Sequence, residues 1–245
     1  CGREVTGRYC SHCGQHINTS RIQFRHFLFN ILDVLDFERG LLHTIKLLSV
    51  KPGTTLRDYI DGKRVYHSTP LQYLFTMITI ATFIALYFDI SLMPITEVPS
   101  EVATHVFSKK ITLYFKHFFS SYLIISLIGV LPFISGVAYY IYHRSLFNYT
   151  ELLVMNIFVF AHITFIYIVL SPLNIISAEL FFTVFFIFSI VYILWSYLTF
   201  FKVGLMRGIR KFFITFIASY LLYMMLLFVI LLSHFMYTNW EIITK

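Results

Sequence analysis

The chain predicts an all-α membrane protein: about five transmembrane helices in a bundle, preceded by interfacial amphipathic helices and a small zinc-ribbon-like knuckle. Three observations lead there. The 245 residues are 58% hydrophobic and only 13% charged, about half the charge of an ordinary soluble domain. Apolar residues gather into uncharged runs of about twenty, the length a helix needs to cross a hydrocarbon core about 30 Å thick. Cations, by contrast, gather at particular ends of those runs.

Residues 1–18 form the knuckle. Cys10 and Cys13 make a C-x-x-C followed by Gly14, the turn in which backbone amides point toward two thiolates. Cys1 is followed by Gly2 and reads as the second half of an equivalent turn, whose first cysteine would lie three residues upstream. Cys1, Cys10 and Cys13 are therefore the candidate metal ligands, and zinc the expected cofactor. Its role would be structural, because four protein ligands leave no open position for water or substrate. His12 or His16 could supply the fourth ligand instead, Cys1 could carry a lipid, or the three thiols could be free in a tail.

Residues 19–69 predict helices that lie on the membrane without crossing it. From about residue 20 to 36 the apolar Ile22, Phe27, Ile31, Val34 and Leu35 recur near helical spacing, with Arg21, Arg25 and Asp33 elsewhere around the helix. GLLHTIKLLSV, from Gly40 to just before Pro52, is a second short apolar helix, and TTLRDYIDGKR a third that ends at Gly62. Segments this short belong in the headgroup region, with Arg57, Lys63 and Arg64 toward anionic lipid or a partner. No glycine loop that cradles phosphate accompanies them.

Residues 70–245 hold the five spans, at about 71–90, 120–142, 152–170, 176–201 and 212–237. Pro70 can begin the first. Pro132 lies inside the second, with a bend expected near Ser135 and Gly136. Ser171, Pro172 and Asn174 separate the third and fourth as a tight antiparallel hairpin.

Placing the N-terminus inside puts fifteen of the 19 basic residues on the cytoplasmic side, leaving Lys109, Lys110, Lys116 and Lys245 outside. The expected location is the inner (cytoplasmic) membrane, multi-pass, N-terminus in and C-terminus out.

Within the spans His162 and Glu179 form a possible polar site. On ideal helices they lie about 12 Å and about 5 Å below the outer end. Paired, they could relay a proton or hold a cation; otherwise His162 bonds a neighbouring hydroxyl or carbonyl while Glu179 reaches the interface. No catalytic set is recognisable: G-x-S-x-G, phosphate-loop, dinucleotide and H-E-x-x-H patterns are absent from the sequence. The net charge of +7 follows topology and forms no stacking groove, so nucleic acid is not expected as a partner.

The tandem knuckle and the stretch KPGTTLRDYIDGKRVYHSTPLQYL resemble an uncharacterised family of zinc-ribbon, multispan bacterial membrane proteins, a domain of unknown function common in Bacteroidota. The resemblance covers about residues 1–75 and the spans by hydropathy alone. It implies a cytoplasmic zinc ribbon on an inner-membrane bundle, with no activity attached. The expected function is non-enzymatic docking of a protein partner or anionic lipid. The alternative is a small homo-oligomeric transporter or channel with a polar path through His162 and Glu179.

Overall fold

In hydrocarbon every backbone N–H and C=O needs a partner within the protein, and a helix supplies one segment by segment. A computed structural model describes residues 10, 21–23, 40–88, 90, 127–142 and 147–238. Among them helix is the only regular structure. In order these helices are α1 (Gly40–Val50), α2 (Pro52–Ile60), α3 (Pro70–Tyr87), α4 (Leu131–Ile141), α5 (Tyr149–Leu170), α6 (Ala178–Phe201) and α7 (Leu205–Thr238), with a 3₁₀ turn at Ser171–Ile175 between α5 and α6.

Four of these are long and apolar enough to cross a membrane: α3, α5 with its 3₁₀ extension, α6 and α7. The expected second span is described in its last part, where Leu127–Ile141 is a shorter apolar helix; residues 120–126 lie outside the described residues. A single turn residue, Val130, with helical φ −76° and ψ −22°, interrupts the regular helix before Pro132, and α4 is continuous through Ser135 and Gly136. Proline lacks the N–H for the bond four residues back and its ring crowds that carbonyl, so α4 restarts with Pro132 in its first turn.

Two further expectations are corrected. The predicted helix at about 20–36 does not include residues 21–23, which are not helical; the remainder lies outside the described residues. The last helix begins at Leu205, earlier than the predicted 212, because Arg207, Arg210 and Lys211 end an uncharged run without ending a helix. Long cationic side chains reach past the end of the apolar layer while their backbone stays helical.

Caps fix the other starts. Thr69 Oγ1 accepts from Gln72 N at the start of α3, and Ser177 Oγ from Leu180 N at the start of α6. Asn148 and Glu151 make a reciprocal capping box on α5. At the end of α2, Gly62 has φ 102°, a conformation open to glycine at little cost.

α5 is the centre, with every residue from Thr150 to Val159 buried. α3 runs parallel to it, since Tyr73 meets His162 and Phe88 O accepts from Asn174 Nδ2. α6 runs antiparallel: Phe181 meets Tyr167, Tyr192 meets His162, and Phe200 meets Phe147. α4 and α7 are also antiparallel, joined by Phe133 with Tyr223 and by Lys211 over Tyr142.

The α1–α2 hairpin closes one end of this bundle, where α5 begins and α6 finishes. Gly53 lies so close to α6 that a Cβ there would strike Thr199 Oγ1 and the Thr199–Phe200 backbone.

Candidate functional site

Three polar side chains on α5 are almost fully buried: Glu151 is 1% exposed, Asn156 3% and His162 2%. Each is satisfied by residues from other elements, and together they tie the bundle to the segments that precede it.

His162 binds α1, α3 and α6 at once. Its Nδ1 lies 2.8 Å from Tyr73 OH and its Nε2 3.2 Å from Ser49 Oγ. The ring stacks on Tyr192, with centroids 4.8 Å apart, and Tyr192 OH donates to Leu48 O. Ser49 Oγ also lies 2.8 Å from Ile45 O, an acceptor only. The serine hydrogen therefore goes to that carbonyl, so Ser49 Oγ accepts from Nε2–H and Tyr73 O–H donates to Nδ1. One neutral tautomer uses every hydrogen in the cluster.

Asn156 joins α4, α5 and α6. Its Nδ2 donates to Ser135 Oγ at 3.0 Å, and its Oδ1 accepts from Tyr197 OH at 2.5 Å. Ser135 in turn donates to Leu131 O.

Glu151 anchors the segment before α1. Arg21 grips it from both sides, Nε to Oε1 at 3.0 Å and Nη2 to Oε2 at 3.1 Å, the planar fork that suits a carboxylate. Asn148 N donates to Oε2 as well, and Asn148 Nδ2 donates to Ile22 O. Ile22 is itself buried in the main core.

The basic residues singled out from sequence have partners at the same end. Arg57 Nε donates to Phe200 O, one of the final carbonyls of α6 that have no partner within their own helix. Its guanidinium lies 5.5 Å from both the Phe147 and Phe200 rings. A cation at a helix C-terminus also complements the dipole. Arg64 Nε donates to Tyr59 O at 3.1 Å, with its guanidinium 5.6 Å from the Tyr59 ring. Burial pushes the Tyr59 phenol up to about 12, against the opposing effect of Arg64. Lys63 donates to Asp58 Oδ1 at 2.6 Å in solvent.

Beside them His67 packs edge-on to Tyr59 and 5.5 Å from His43, centroid to centroid. Burial, then the neighbouring His43, hold the His67 imidazole below its ordinary range, with Asp58 opposing.

His162 and Glu179 are not brought together. His162 spends both ring nitrogens on Tyr73 and Ser49, whereas Glu179 stands exposed in the first turn of α6. Of the expected metal ligands, Cys10 is buried, while Cys1 and Cys13 lie outside the described residues. One thiol alone offers too few donors to test the fit of zinc. Among the described residues no group of three His, Cys, Asp or Glu side chains is placed to hold a metal.

Sequence reasoning missed Ser49, Tyr73 and Tyr192 around His162, and Arg21 on Glu151. Glu151 itself had a visible signal, since Asn148-x-x-Glu151 before an apolar run is a capping-box pattern, but nothing local pointed to Arg21.

A family described as "Protein of unknown function (DUF3667)" matches residues 38–82. That stretch contains α1, α2, the loop after them and most of α3, and so contributes Ser49, Arg57 and Tyr73 to the contacts above. No curated protein and no solved structure matches the chain.

Proposed function

We propose that the chain is a non-enzymatic, multi-pass protein of the inner membrane whose basic, cytoplasmic end docks anionic lipid or a protein partner, with a structural zinc ribbon at the N-terminus. One observation carries this reading. Every lysine and arginine among the described residues lies at residue 21, in the α1–α2 hairpin and its following loop, or around the α6–α7 turn. Those elements meet at one end of the bundle, where the only acids among the described residues are Asp58, Asp61 and Glu151. Cations kept on one side follow the rule that orients membrane proteins with that side inward.

The interior supports docking over transport. Polar atoms on α5 satisfy one another across helices, and Glu179 stands apart from His162. A conduction path would need polar groups directed at water or at an ion.

For the zinc ribbon, Cys10→Ser with Cys13→Ser is expected to remove bound zinc, read by elemental mass spectrometry on full-length protein. Partner recovery from native membranes should fall while insertion stays intact. Equal partner recovery from the variant and the parent chain refutes docking through the ribbon.

A further inference from the structure

We propose that the exposed face of α1, where Lys46 and Lys51 accompany Leu42 and Val50, grips the phosphates of an anionic phospholipid at the membrane surface. This rests on the reading of that end of the bundle as the basic docking end, and names both the lipid-binding side chains and the ligand.

α1 is divided lengthwise. Thr44 and Leu48, each 1% exposed, face the bundle, whereas Leu42 and Val50 are 77% and 56% exposed. Residues 42, 46 and 50 follow one line along a helix, so Lys46 lies between the two exposed aliphatic side chains. Lys51 extends that face at the helix end. Lys46 and Lys51 are both exposed, and neither forms an ion pair with a described residue.

The depth of α1 decides what covers that face. Tyr192 lies nine residues before the end of α6, about 14 Å along its axis, and its hydroxyl donates to Leu48 O at 3.4 Å. A 24-residue helix such as α6 is about 36 Å long, about 6 Å more than the hydrocarbon core. Even if all that excess projects at the basic end, Leu48 O sits at least about 8 Å inside the apolar layer, below the headgroups. Five residues later Gly53 is packed on Thr199 and Phe200, close to the end of α6. The chain therefore rises from the level of Tyr192 to that of Phe200 across Lys51. At this level the outward neighbour of α1 is lipid: Leu42 and Val50 meet acyl chains, and the lysines reach outward to phosphate.

The other cations of the hairpin and its following loop are already engaged. Arg57 holds Phe200 O, Arg64 holds Tyr59 O, and Lys63 holds Asp58. Within the hairpin, Lys46 and Lys51 are left to attract lipid, and they alone flank the exposed aliphatic side chains of α1.

The experiment uses full-length protein in detergent, incubated with mixed phosphatidylglycerol and phosphatidylethanolamine, and native mass spectrometry of the lipids retained. Wild type should favour phosphatidylglycerol. K46Q/K51Q should lose about thirtyfold in that preference, five- to sixfold per lysine, while K46R/K51R keeps most of it and K63Q stays within about twofold. All variants are first shown to remain in carbonate-washed membranes.

Loss in K63Q with retention in K46Q/K51Q overturns the assignment to α1 and leaves the basic end as the docking site. Absence of any phosphatidylglycerol preference in wild type overturns the lipid ligand, while partner recovery through the ribbon is still read separately. Displacement of the lipid by millimolar glycerol phosphate overturns it too, because the site would then be one for a free phosphate.

Discussion

α5 and α7 look alike in sequence and occupy opposite places in the protein. Both are uninterrupted apolar runs long enough to cross a membrane, yet 61% of the most apolar window of α5 is buried inside the protein against 22% for α7. Apolarity on every side is required of a helix at the centre of a bundle and equally of one bathed in lipid. What separates them is the polar minority. α5 carries Glu151, Asn156 and His162, each bonded across to another element, whereas on α7 Ser219 donates to Phe133 O on the covered side and the outward stripe at Leu221, Met225 and Val229 is purely apolar. A polar group inside a membrane span marks the side that other helices cover.

The largest test of this difference is Glu151→Ala. It removes the capping box of α5 and the carboxylate that Arg21 and Asn148 N share, at a cost of about 2–4 kcal/mol. Release of Arg21 should also expose residues 21–23 to protease. A variant that unfolds in detergent within about 0.5 kcal/mol of the parent would show that α5 is not the anchor it looks to be.

Asn156→Leu comes next. It leaves the hydroxyls of Tyr197 and Ser135 without their shared partner, and about 1–2 kcal/mol is expected. The double change with Tyr197→Phe should cost less than the sum of the single changes, since both act on one bond. Strict additivity would place the two residues in separate roles.

Four of the five expected spans and the limits of α2 were legible in the sequence because each depends on a local pattern. Uncharged length marked α3, α5 and α6 to within a few residues, and Pro52 and Gly62 bracketed α2. Non-local facts were not legible. Nothing near His162 announces that Tyr73, 89 positions earlier, and Ser49, 113 earlier, would meet its two nitrogens. Arg57 reads as a surface cation from its neighbours in sequence, since the carbonyl that claims it belongs to Phe200, 143 residues on. Charge shows which side of a membrane a segment prefers; it does not show which cation a helix end has taken.

Acid should loosen the hairpin end before it touches the centre of α5. The His67 imidazole is held below its ordinary range by burial and by His43, so the unfolded chain takes up its proton at a higher pH than the folded one. The neutral ring's contribution is complete above about pH 6.5 and is lost as pH falls below it. Hydrogen exchange should rise in residues 61–69 between pH 7.5 and 5.5 while α5 stays protected, and His67→Phe should flatten the response. Equal loosening of α5 would mean that the two regions open as one.

The smallest expected effect tests the other side of the comparison. Leu221, Met225 and Val229 form one stripe along α7, 61%, 65% and 57% exposed. In a bilayer a leucine on such a stripe exchanges one apolar neighbour for another on folding, so Leu221→Ala and Met225→Ala should each cost within about 0.5 kcal/mol. The same truncations in a buried core cost about 2–5 kcal/mol. A loss of that size in lipid, accompanied by a concentration-dependent change in mass on native mass spectrometry, would mean that another copy of the chain covers the stripe. α7 would then be as interior to an oligomer as α5 is to the single chain.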